Sequence, residues 1–258
     1  MGLDRVLVVG AAAHGLMALL AGVARTLERA PIAGVHPADK PLKFGASIAL
    51  FLLTMAWVVP TLALGAVQRR VLAWTLLATM VAESVPIVVQ AVRGVPSHFN
   101  VATPLDAALW RTMVLAIVVA SASMLVVAVV ATGAPLRDAA GQPLGRLLSF
   151  AVVAGLWLFL AAVISGFAMG GRLRHSVGGA DGGPGLPVVG WSRTHGDLRA
   201  PHFVGLHSMQ TLPLVAWFLG RVQLGPGLAW AVMLGITALH VAAALWSLTR
   251  AFGGRPAF

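Results

Sequence analysis

The chain has 258 residues, of which 59% are hydrophobic and 10% charged, with a mean hydropathy of +0.89. A soluble domain carries about a quarter charged residues, so the surroundings of most of this chain must be a lipid bilayer. The net charge of +10 is spread as Lys and Arg in ones and twos between apolar runs, a pattern that suits anionic lipid headgroups and excludes nucleic acid, and the absence of Cys and Tyr excludes disulfides, thiolate metal sites and phenol chemistry.

Uninterrupted apolar runs bounded by charge, Pro and Gly predict an all-α, polytopic transmembrane bundle of about seven spans, forming one integral membrane domain over residues 1–258. In chain order the spans fall at Val6–Ala24, Phe44–Leu64, Val71–Val92, Ala107–Ala131, Leu147–Gly170, Pro201–Gly220 and Gly227–Leu248. The first is read as a membrane helix rather than a secretory signal, because Asp4 offsets Arg5 and His14 interrupts the apolar run. Six Lys and Arg residues fall on the face of the N-terminus and twelve on the other. The positive-inside rule then puts the N-terminus outside and the C-terminus in the cytoplasm. Trp74, Trp217 and Trp230 sit near the outer interface and Trp110 and Trp246 near the inner one, as an aromatic belt requires.

The loops differ in chemistry. Those on the outer face are short or plain. The inner ones hold His36-Pro37-Ala38-Asp39-Lys40, Ser97-His98-Phe99-Asn100 and the Gly-rich stretch 171–200 with His175, Asp181, His195 and Asp197. Within that stretch the run 178–185 has too much Gly and Pro for helix or strand, and the apolar Leu186–Trp191 segment is expected either to dip into the interface as a lid or to be a loose connector.

Four ionisable residues lie deep inside the spans: His14, Glu83, His207 and His240, about six to ten residues from the cytoplasmic ends, or roughly 9–15 Å. Ionisable groups in lipid turn toward one another or toward a cavity, and the neighbours agree with an inward polar face. Thr79, Glu83 and Gln90 share one stripe, His207, Gln210 and Thr211 another, and Thr237 stands with His240. A carboxylate at the depth of Glu83 must be protonated, paired or hydrated, which makes it the candidate catalytic residue. The plain alternative for each His is a hydrogen bond to a neighbouring helix.

The segments Ser97-His98-Phe99-Asn100 and Gly196-Asp197-Leu198-Arg199-Ala200-Pro201-His202-Phe203-Val204-Gly205-Leu206-His207 resemble those of uncharacterised bacterial multi-span membrane proteins. The resemblance implies a multi-pass protein of the bacterial cytoplasmic (inner) membrane and brings no activity with it. Helix seven has no Lys for a retinal Schiff base, and His240 lacks the His-x-x-x-His partner of seven-helix membrane zinc hydrolases.

Three functional readings follow. In the first, two of His14, His207 and His240 ligate haem b or a transition metal, Gln210 lies beside them, and Arg25, Arg93 and Arg199 pair the propionates. In the second, Glu83 and the histidines form a proton or ion path. In the third, the polar residues are structural contacts in a homo-oligomer or an accessory subunit of a larger membrane complex.

Overall fold

The computed structural model describes residues 2–32, 34–222 and 224–257. The chain is all-helical. Its helices are α1 (Arg5–Ala24), α2 (Asp39–Val58), α3 (Ala66–Arg93), α4 (Pro104–Gly133), α5 (Arg146–Arg172), α6 (Arg199–Leu206), α7 (Ser208–Leu219) and α8 (Pro226–Phe252). Six helical segments, in α1 to α5 and α8, are long and apolar enough to cross a membrane. Their outward faces carry bare apolar side chains, such as Leu19 (70% exposed), Val9 (67%) and Leu239 (66%), which only lipid can solvate.

The helix ends follow from local chemistry. Asp4 caps α1 by accepting from the Leu7 amide at 3.1 Å, and Thr103, followed by Pro104 in the first turn, caps α4 by accepting from the Asp106 amide at 3.2 Å. Gly94, at φ 72°, ends α3 in the left-handed conformation.

The predicted sixth span is two helices. α6 and α7 meet at His207, whose φ of −82° and ψ of 0° lie at the edge of the right-handed helical region. The Ser208 hydroxyl at the junction donates toward Gly155 O (2.8 Å) and Gly205 O (2.6 Å), so backbone oxygens at the break are satisfied in an apolar interior. Pro86, by contrast, is accommodated within an unbroken α3.

Close helix approaches rest on glycine. A Cβ on Gly45 would stand 2.9 Å from both Ala18 N and His14 O of α1, and one on Gly155 would stand 2.8 Å from Ser208 O at the start of α7. The main core joins α1 to α5 through Leu7, Leu52, Leu76, Met124 and Leu156, and a second joins α5, α7 and α8 through Ala151, Leu212, Ala216 and Met233.

The stretch after α5 is held by hydrogen bonds and close glycine contacts. Two short strands, β1 (Ser176–Val177) and β2 (Gly196–Asp197), pair antiparallel, and Gly185 bridges Ser192 between them. Asp181 accepts from the Ser176 amide at 2.9 Å, and Asp197 accepts from the Ser192 amide at 2.8 Å. Side-chain acceptors thus replace the regular pairing that so much Gly and Pro denies. Gly178 packs against Gly254 and Gly196 against Ala251, fastening the loop to the end of α8.

Candidate functional site

Glu83 lies in α3, ten residues before its end at Arg93 and thus about 15 Å along the helix from the loop-bearing face. It is 4% exposed. Its Oε1 stands 3.3 Å from His98 Nε2, and its Oε2 is buried with no hydrogen-bond partner among the described residues. A buried carboxylate oxygen left unpaired is expensive, which marks this position as one that stability alone does not explain.

His98 reaches Glu83 from the short α3–α4 loop. The Asn100 side chain brackets that loop, its Nδ2 donating to Pro96 O at 2.9 Å and its Oδ1 accepting from the Ala102 amide at 3.1 Å. Phe99 takes φ of 61°, a left-handed conformation that a bulky residue adopts only when its surroundings impose it. The imposition is visible. Phe44, Phe99 and Trp110 surround the His98 ring with centroids at 5.5, 5.9 and 5.4 Å, fixing its plane toward Glu83. His98 Nδ1 stands 3.3 Å from Ser97 Oγ, so a hydrogen-bonded chain runs from Glu83 through the imidazole into the loop.

Lys40 and Lys43, at the start of α2, supply the charge around this pair. Lys40 Nζ sits 5.7 Å from the Phe44 ring centroid and, among the described residues, makes no hydrogen bond or ion pair. Burial, followed by the Lys40 charge, pushes the His98 imidazole below its ordinary value, against the Glu83 hydrogen bond that raises it.

A second charged group closes over the first from the long loop. Arg199 holds Asp197 through two bonds, Nε to Oδ1 at 2.9 Å and an η-nitrogen to Oδ2 at 2.6 Å, and donates to Gly190 O at 2.5 Å. Burial alone would raise the Asp197 carboxyl, but the Arg199 bond and charge together hold it below the usual range. His175 stands 3.2 Å from Asp181 and 3.9 Å from Asp197, yet burial and then the Arg199 charge outweigh both carboxylates and push its imidazole down to about 4. Lys43 ties the two groups mechanically, donating to Val189 O at 3.1 Å.

The other residues singled out from the sequence are dispersed. His14 is buried in the α1–α2–α3 part, with Nδ1 at 2.8 Å from Gly10 O and Nε2 at 3.1 Å from Ser84 Oγ, so both ring nitrogens are engaged. His240 of α8 reaches Val204 O at 2.8 Å, His207 packs tilted against Phe203 at 4.3 Å, and Thr211 Oγ1 links them, 3.1 Å from His207 O and 3.5 Å from His240 Nδ1. α1 packs chiefly on α2 and α3, and α8 on α5, α6 and α7. His207 and His240 are therefore brought together and His14 is not. Gln210 turns its amide nitrogen to Thr54 Oγ1 at 3.3 Å. The three arginines expected to meet propionates each hold an aspartate: Arg25 with Asp39, Arg93 with Asp106 at 2.6 Å, and Arg199 with Asp197. Among the described residues, no three His, Asp or Glu side chains converge as a metal-binding group.

No family model, curated protein or solved structure matches the chain. The site must therefore be read from its own geometry. In that geometry Glu83 has a partner that span-by-span reasoning missed, because His98 lies outside every predicted span. Its signal in the sequence was the Ser97-His98-Phe99-Asn100 segment. Lys40 and Lys43 read in the sequence as headgroup anchors because they stand between apolar runs, and only the folded loop shows Lys43 bonded to Val189 O and Lys40 beside Phe44.

Proposed function

We propose that this chain is a multi-pass protein of the bacterial cytoplasmic membrane that binds and exchanges a proton at Glu83–His98, as the charge-moving step of proton-coupled transport. The observation that carries this reading is the buried Glu83 carboxylate, paired through one oxygen with His98 and, among the described residues, through the other with none. Such a pair passes a proton between oxygen and Nε2, while Nδ1 faces Ser97 and the loop-bearing side. Lys40 supports the role, because its ammonium, when protonated, favours release of the proton from the pair. Toward the opposite face the interior is closed by Met80, Leu76, Leu72 and Leu52, so exchange occurs with the loop-bearing side in this conformation.

The topology belongs to the same proposal. α6 and α7, of eight and twelve residues with His207 between them, act together as a seventh, discontinuous span, and the N-terminus lies outside. Haem or metal ligation by His14 with His207 or His240 has less support, since His14 has both nitrogens engaged and lies in another part of the bundle. A purely structural role does not account for the unpaired oxygen of Glu83.

The test is proton movement in vesicles that hold the purified protein and an internal pH dye, with a membrane potential imposed by potassium and valinomycin. Wild type is expected to acidify or alkalinise the lumen according to the sign of the potential, and Glu83→Gln to fall to the rate of empty vesicles. Equal rates in the two proteins would refute the proposal.

A further inference from the structure

The end of the bundle opposite the Glu83 site carries a groove of about 480 Å³ between the beginnings of α1 and α3. Arg5, Arg69 and Arg70 line it, together with Trp74, Pro60 and Asp4. Among the described residues, none of the three arginines forms an ion pair. Arg69 adds a second sign, because its Nε is buried without a hydrogen-bond partner. The one acid present, Asp4, spends an oxygen on capping α1. Three positive charges thus face one negative, at a place where two helices begin and their unpaired amides add partial positive charge.

The level of the groove identifies the occupant. Trp74 is 54% exposed, and its neighbours on α3, Val67 (76%) and Val71 (60%), are bare. Amphipathic rings beside arginines and above apolar surface mark the headgroup level of a bilayer. We propose that this groove is a specific site for one anionic glycerophospholipid, whose phosphodiester is held by Arg69, Arg70 and Arg5 and whose acyl chains lie along the exposed side of α3. Planar guanidinium forks match phosphate oxygens in pairs, and a headgroup of net negative charge satisfies the surplus that a zwitterionic one leaves.

Native mass spectrometry of the full-length protein tests this, with dioleoyl phosphatidylglycerol or dioleoyl phosphatidylcholine added at equal amounts. Wild type is expected to keep one phosphatidylglycerol under activation that strips phosphatidylcholine. The Arg69→Gln/Arg70→Gln double variant is expected to bind phosphatidylglycerol at least about tenfold more weakly, and Arg5→Gln, on the other helix, to weaken it as an independent change. Arg221→Gln, whose side chain stacks on Trp217 elsewhere on the same face, should leave binding unchanged. Three results would overturn the site: equal retention of the two lipids, undiminished retention in both groove variants, or displacement of the lipid by millimolar glycerol phosphate, which would make it a pocket for a soluble phosphate ester.

Discussion

His14 and Glu83 lie in the same part of the bundle and are both 4% exposed, yet their surroundings assign them opposite roles. His14 is satisfied at both nitrogens, by Gly10 O and Ser84 Oγ, whereas Glu83 keeps an unpaired oxygen. His14→Ala should therefore destabilise the protein by about 1–3 kcal/mol, read as a lower thermal midpoint, and leave proton movement intact. Its effect on transport without any effect on stability would show that the assignment is wrong. Glu83→Gln should do the reverse, keeping shape and hydrogen bonding while removing the exchangeable charge. Sequence alone placed Glu83, with Thr79 and Gln90, on a buried stripe, and all three are buried. It could not show which histidine Glu83 meets. Depth in the membrane is a one-dimensional quantity, and neighbours are chosen by how helices pack. Arg25, Arg93 and Arg199 illustrate the same gap, since each is claimed by an aspartate across a turn.

Element-scale behaviour turns on glycine contacts and on the long loop. Gly45→Ala would drive a methyl group to 2.9 Å from two backbone atoms of α1, atoms that cannot move aside as a side-chain tip can. A loss of about 1–3 kcal/mol is expected in reversible unfolding, and a neutral outcome would contradict the described α1–α2 packing. The loop between α5 and α6 should respond to acid. His175 binds its proton near 4 when folded and near 6.5 when released, so between those values the open loop holds more protons than the closed one. Loop stability should be constant above about pH 7 and fall as pH drops from about 6.5 toward 4. Amide exchange or limited proteolysis at residues 176–197 measures this, and a loop equally protected at pH 7 and pH 5 would exclude it. The order of this loop was hidden in the sequence because Gly and Pro give no periodicity. Its hydrogen bonds come from Asp181 and Asp197, whose partners are fixed by turns rather than by repeats. The spans were far more legible, since about twenty apolar residues in succession leave the backbone one way to satisfy itself in lipid. The exception was the break at His207, which the apolar run conceals.

The whole molecule has two unlike ends. One is a surface of arginines that, among the described residues, have no acidic partners, and the other is a partly buried group of Lys40, His98, His175, Asp197 and Arg199 on the side of Glu83. Because the chain has no cysteine, single probes can be read without background. Ala139→Cys is expected to react with a membrane-impermeant maleimide from outside whole cells and Gly179→Cys only after permeabilisation, and the opposite pattern would invert the orientation proposed here. The central claim is that Glu83 and His98 exchange a proton with the loop-bearing side. Infrared difference spectra recorded across a pH step measure that event at the groups themselves. Wild type is expected to show a carboxyl signal that vanishes in Glu83→Gln, together with imidazole bands that vanish in His98→Asn. Spectra unchanged by either substitution would contradict the account.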